Sequence, residues 1–257
     1  MSSTHSAASR LLNMLGRSAG ALLLAAALSS CSQQRPPATT DIPVSMPTLE
    51  QIEAEQLSWW KIRFRIAWPE GTQRDQTVSL LLADAVVSPV IRKHEDNILW
   101  WRFHRRAARD GAGHQFSYLL YASPDTADKT IQDLQDSQIL SDAIEAGLVE
   151  KVIYPDTTKL EHPNVEDYSD PSWSLSIQRN WPSYIMGVSA MWLGLIEEMK
   201  QEDLAGETDI DLLYEQYRAI NEYLSLVWYF EAQHAFMHHL SAVFGYQPML
   251  IKKEIQF

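Results

Sequence analysis

Glu231, His234 and His238 stand three and four residues apart, with His239 adjacent. On a helix this spacing sets the three side chains along one stripe. Glu-x-x-His and His-x-x-x-His are both frequent ligand spacings, and imidazole suits zinc or iron. The stripe continues Tyr217, Ile220, Leu224 and Val227. A buried polar group there without a partner would cost about 1–3 kcal/mol. The expected partner is a metal ion or the acidic loop around Glu161, Asp167 and Asp170. A zincin-type protease needs a glutamate directly after its first histidine, where this chain has Ala235. A ferritin-like site needs a second Glu-x-x-His helix, and the sequence has no other.

A second set of residues is cationic. Lys61, Arg63 and Arg65 alternate with Ile62, Phe64 and Ile66, and Arg102, His104 and Arg106 recur at the same period of two. If the apolar alternates face the core, all six basic groups face the other way. Should the two strands lie side by side, the result is one basic face on a chain of net charge -12. Such a face suits an anionic ligand or an acidic protein partner. The acidic balance of the chain speaks against general attraction to nucleic acid. Neighbouring tryptophans, Trp59-Trp60 and Trp100-Trp101, cannot both point inward from a strand, so Trp100 is expected on the exposed face beside Arg102. There is no serine-histidine-acid order, phosphate-binding glycine loop or cysteine nucleophile. Binding through Arg63, Arg65, Trp100, Arg102, His104 and Arg106 is therefore the preferred function, with no cofactor. The alternative is a metal-dependent enzyme, a hydrolase for instance, using zinc or iron at Glu231, His234 and His238.

These residues need elements to position them. Alternation marks a strand over Ile62–Trp68. Val78–Lys93 has helical spacing with an end or bend at Pro89. Ile98–Arg106 and His114–Ala122 read as a hairpin about the turn Arg109–Gly113. A helix opens at Pro124-Asp125, runs to about Gln135, resumes through Leu140–Glu145 and closes at Gly147, and Leu148–Tyr154 is a further strand. The order is β-α-β-β-α-β, that of ferredoxin-like α+β domains. Pro155–Pro171 is irregular. Asn180 is placed to cap a helix with Pro182 in its first turn and Tyr184–Ile196 buried. Thr208 and Asp211 resemble a capping box for a long helix through Phe244, and Leu250–Phe257 reads as a final strand.

The composition, 46% hydrophobic and 21% charged, is that of a chain with a core. One cysteine excludes an internal disulfide framework and any multi-cysteine zinc or iron–sulfur site. That cysteine ends a segment of distinctive layout. Residues 1–30 hold no acid and only Arg10 and Arg17 as fixed charges, and the apolar run Ala19–Leu28 is too short to span a bilayer. Leu28-Ser29-Ser30-Cys31 resembles the lipobox of bacterial lipoproteins. The resemblance implies a diacylglycerol on the Cys31 thiol, cleavage after Ser30 and acylation of the new amino terminus. Several chains are needed, since each buried methylene contributes about 0.8 kcal/mol and one chain holds only marginally. Ser32, in place of the aspartate that retains such proteins at the inner membrane, implies the outer membrane, facing the periplasm. The expected organisation is a signal peptide over 1–30, a flexible tether over 31–48 and one α+β periplasmic domain over 49–257, its sheet part 49–155 and its mainly helical part 156–257. The partners expected are the bilayer, through acylated Cys31, and an envelope protein or anionic ligand.

Overall fold

A computed structural model describes residues 56–200 and 207–246. The signal segment, Cys31, the tether and the expected final strand Leu250–Phe257 lie outside the described residues. Period-two alternation makes β1 (Ser58–Ile66), with Trp60, Ile62, Phe64 and Ile66 buried and Lys61, Arg63 and Arg65 half-buried on the opposite face. β1 pairs antiparallel on both sides, with β3 (His114–Ala122) and β4 (Val149–Ile153), and β3 pairs antiparallel with β2 (Ile98–Ala107). The sheet order is β2-β3-β1-β4. The two basic strands are therefore not neighbours: β3 lies between them, because β2 and β3 form the hairpin and β3 then pairs onward to β1. The hairpin turn is held by Asp110, whose Oδ1 accepts from the N–H groups of Ala112 and Gly113, both at 3.0 Å. Gly113 adopts φ +66°, a conformation that favours glycine, and a Cβ there would stand 2.8 Å from Nη2 of Arg65 and so displace that guanidinium.

Between β1 and β2 runs one continuous helix, α1, made of Thr77–Leu81, a π-helical stretch Leu82–Val87, and Ser88–Lys93. It does not end at Pro89. Proline has no N–H for the carbonyl four residues back, and here the widened π stretch closes directly before it, absorbing the mismatch. α2 (Pro124–Gln135) and α3 (Gln138–Glu145) are capped by Ser123 and Ser137, whose hydroxyls accept from the N–H groups of Thr126 and Leu140. Leu80, Leu82, Leu134, Leu140 and Ala143 pack into one core with Ile62, Phe64, Phe116 and Leu120 of the sheet.

α4 (Leu175–Glu198) begins five residues before Asn180, so Pro182 lies inside the helix and not in its first turn. The carbonyl that Pro182 strands is that of Gln178, and the Ser169 hydroxyl donates to it at 2.9 Å. α4 runs along the edge strand β2, where Ser189 Oγ accepts from the Phe103 N–H at 3.1 Å, so a helix side chain occupies the exposed edge. α5 starts at Ile210 with Asp209 as its cap, accepting from Asp211 and Leu212, in place of the expected Thr208. It comprises Ile210–Val227, a π turn Trp228–Ala232 and Gln233–Val243. Among the described residues no helix is long and apolar enough to cross a membrane.

Candidate binding face

The register of β1, β3 and β2 sets the basic residues in rows. Lys61 and Arg102 flank Leu119, Arg63 and His104 flank Ser117, and Arg65 and Arg106 flank Gln115. One intervening strand separates the two members of each row by about 10 Å at the backbone. Within side-chain reach of one another, the cations still form a single face. β3 supplies what was missed in reading from residue types: Gln115 and Ser117, polar residues at period two in an otherwise apolar strand, were its only signal.

The residues are not equally available. At the turn end, Arg65 pairs with Glu150 at 3.2 Å and donates to the Gly111 carbonyl at 2.8 Å, and Arg106 is engaged by Asp110 and by the Gly113 carbonyl. Arg102 donates to the carbonyl of Tyr168 at 3.1 Å, and the Lys61 ammonium stands 5.7 Å from the centre of the Tyr168 ring. Arg63 and His104 make no hydrogen bond or ion pair with the described residues, and the Ser117 hydroxyl between them is buried and unpartnered. Burial, followed by the charges of Arg63, Arg102 and Arg106, holds the Lys61 ammonium below its ordinary pKa. Burial, then Lys61, Arg102 and Arg106, likewise lowers His104, and burial lowers Arg102. Like charges therefore crowd one another with no acid among the causes that oppose the shift on Lys61 or His104.

The aromatic end of the face is closed. Trp100 is 4% exposed, not solvent-facing as expected, and both members of each tryptophan pair are buried. On the cationic side of the sheet the irregular segment 155–174 covers Trp59 and Tyr121, while Trp60 and Trp101 face the core. Trp59 donates its indole N–H to the Val165 carbonyl at 2.9 Å, Tyr121 donates its hydroxyl to the Pro163 carbonyl at 2.8 Å, and Trp100 packs on Tyr121. Tyr168 meets Trp59 edge-on. No residue pattern in this segment announced the cover. Between it and β1 a cleft of about 280 Å³ remains, with Lys61, Arg63, Lys159 and His162 in its walls beside Asp156 and Glu161.

Glu231, His234 and His238 are exposed, which corrects their placement on the buried stripe. The cause is the π turn at Trp228–Ala232: one extra residue in the turn advances the helix phase, so Ala232 is the buried position in place of Glu231. The rings of His234 and His238 stack at 5.8 Å, and His239 is exposed beside them. Among the described residues no three His, Cys, Asp or Glu side chains gather in a group that could hold a metal ion. Compared with family models, with curated proteins and with solved structures, the chain matches none.

Proposed function

We propose that the chain is an envelope lipoprotein, anchored to the outer membrane through acylated Cys31 and facing the periplasm, whose folded part binds an acidic segment of another envelope component on the cationic face of β1, β3 and β2. One observation carries the binding reading. Arg63 and His104 flank the buried, partnerless Ser117 hydroxyl while Lys61 and Arg102 crowd them, so the face holds donors and positive charge without a counter-ion. An anion set over Ser117 relieves that repulsion and satisfies the hydroxyl together. The sheet part is read as ferredoxin-like, a reading supported by the β-α-β-β-α-β run with its second helix divided at Ser137, and by β1 pairing with β3 and β4.

A photo-cross-linking residue at position 104 tests the binding. Cells making this variant should yield a discrete adduct that a cross-linker at exposed Glu70 does not give. Arg63→Glu in the same chain should remove the adduct and leave the melting temperature within a degree or two, since Arg63 has no hydrogen bond or ion pair among the described residues to lose and its removal eases like-charge crowding. Adducts that are the same at both positions, or indifferent to Arg63, refute the reading.

A further inference from the structure

A second concavity lies on the other side of the molecule's edge strand. β2, α4 and α5 enclose a groove of about 510 Å³, a size typical of small-molecule sites. Its walls are Phe103, Val188, Trp192 and Leu195 on one side and Leu224, Trp228 and Phe236 on the other. Arg105 is the only charged residue among those that line it. Arg105 alternates with His104 and Arg106 and so belongs to the opposite face of β2 from the cationic rows, on the side where Phe103 packs. Its guanidinium sits 5.0 Å from the centre of the Trp192 ring and donates through Nη2 to Gln76 Oε1 at 2.7 Å. Nε is sealed from solvent and has no hydrogen-bond partner. Among the described residues Arg105 has no carboxylate in ion-pair range.

A half-buried guanidinium with a sealed, unpartnered Nε and no counter-ion is unusual, because desolvating it is costly unless an anion is near. Burial, with Arg74 nearby, brings its pKa down to about 10, so it still carries its charge at neutral pH. Apolar walls with one unsatisfied cation call for a ligand with a hydrocarbon body and a single anionic head. We propose that this groove binds a free long-chain carboxylate, its alkyl chain between α4 and α5 and its carboxylate on Arg105.

The test uses full-length protein and cis-parinaric acid, whose fluorescence is excited by transfer from Trp192 and Trp228 in the walls. Binding should saturate at one molecule per chain. Palmitate should displace it about tenfold or more better than hexadecanol, the margin of a hydrogen bond to a charged group. Arg105→Gln should erase the preference for acid over alcohol. Ser225→Trp, at an exposed position on the α5 wall, fills the groove without touching Arg105 and should abolish binding with the melting temperature retained. Several results overturn the proposal. They are no saturable binding, equal displacement by acid and alcohol, or binding unchanged by Ser225→Trp. Binding gained only when Leu250 and Ile251 are both replaced by Glu would mean that the chain's own C-terminal segment is the occupant. A dimer dissolved by Ser225→Trp would mean that a second copy is.

Discussion

Asp84 lies in the π-helical stretch of α1 with its side chain wholly enclosed, and two groups from the helical part of the chain converge on it. Tyr217 of α5 donates to Oδ2 at 2.5 Å, and Lys200, just beyond α4, reaches the same oxygen at 2.8 Å. Oδ1 has no partner. Burial, then the Asp84 charge, pushes the Tyr217 hydroxyl far above its ordinary pKa, so it stays a donor at any physiological pH. The two arms are unequal. The Lys200 side chain is 36% exposed, but the carboxylate it neutralises is wholly enclosed, so removing the ammonium leaves a buried charge unpaired, a loss of about 3 kcal/mol or more. The tyrosine is buried with the carboxylate, and a hydrogen bond to a charged group in that setting contributes about 1.5–3 kcal/mol.

Tyr217→Phe should therefore destabilise by about 2 kcal/mol, a fall of roughly 4–8 °C for a domain of this size. Lys200→Met should cost at least as much, because it strands the enclosed Asp84 charge. Asp84→Leu removes the buried charge but strands the tyrosine hydroxyl, which itself costs about 1–3 kcal/mol. Adding Tyr217→Phe to Asp84→Leu should then cost almost nothing. Urea unfolding of the four chains of this cycle measures the coupling directly. Single losses that add, within about 0.5 kcal/mol, in the double variant would refute the reading, as would a Lys200→Met loss below about 1 kcal/mol, the ceiling for an exposed pair. Because this contact ties α5 to α1, it also fixes one wall of the apolar groove.

The pH dependence of stability has a definite sign. His114 is 2% exposed with neither ring nitrogen partnered, and burial, with Arg105 next, lowers its pKa, as burial and its neighbours lower that of His104. Folding lowers the pKa of both histidines, so their contribution is complete above the unfolded value of about 6.5 and is lost as pH falls from there through the lower folded values. The slope is at most about 1.4 kcal/mol per pH unit for His114 and smaller for His104, whose exposed side chain is screened by solvent. Melting curves from about pH 8 to about pH 5 should show this, and His114→Gln should flatten them; a parent curve flat over that range would refute the assignment. Metabolic labelling with a clickable fatty acid should mark the parent chain and not Cys31→Ser, and a variant that labels equally would remove the lipid anchor.

Strands with one polar face were legible because period two is a local signal: Lys61, Arg63 and Arg65 between Ile62, Phe64 and Ile66 define both β1 and its orientation. The pairing order was not, since nothing within β1 or β2 records that β3 comes between them. Both π turns were hidden for a different reason. Leu82–Val87 and Trp228–Ala232 contain no glycine or proline, and an added residue in a helical turn leaves the apolar spacing on either side intact while shifting its phase. That shift exchanged Glu231 for Ala232 at the buried position, and beyond it no residue of Gln233–Val243 is buried, so His234 and His238 lie at the surface whatever their phase. Pro182 misled because its tolerance depends on Ser169, a residue thirteen positions away in a segment without pattern. The same segment hid the burial of Trp100.

That segment also accounts for the openness of the cationic face. It is rich in carboxylates, yet most of them are engaged elsewhere. Asp156 pairs with Lys159 at 2.7 Å, Glu166 with Arg179 at 3.5 Å, Asp167 accepts from the Asn164 N–H at 2.7 Å, and Asp170 caps the N–H of Ser172 at 2.8 Å. What the segment gives the sheet cations instead is the Tyr168 carbonyl, for Arg102, and the Tyr168 ring, for Lys61. A carbonyl dipole and a ring face hold cations in place without neutralising them. On a chain with 33 acidic residues against 21 basic ones, carboxylates are plentiful, and a face merely solvated would be expected to attract them as ion pairs. Positioned but unneutralised, Lys61, Arg63 and Arg102 keep their charge, with the His104 ring beside them, for an anion that arrives from outside, which is the property the binding reading requires.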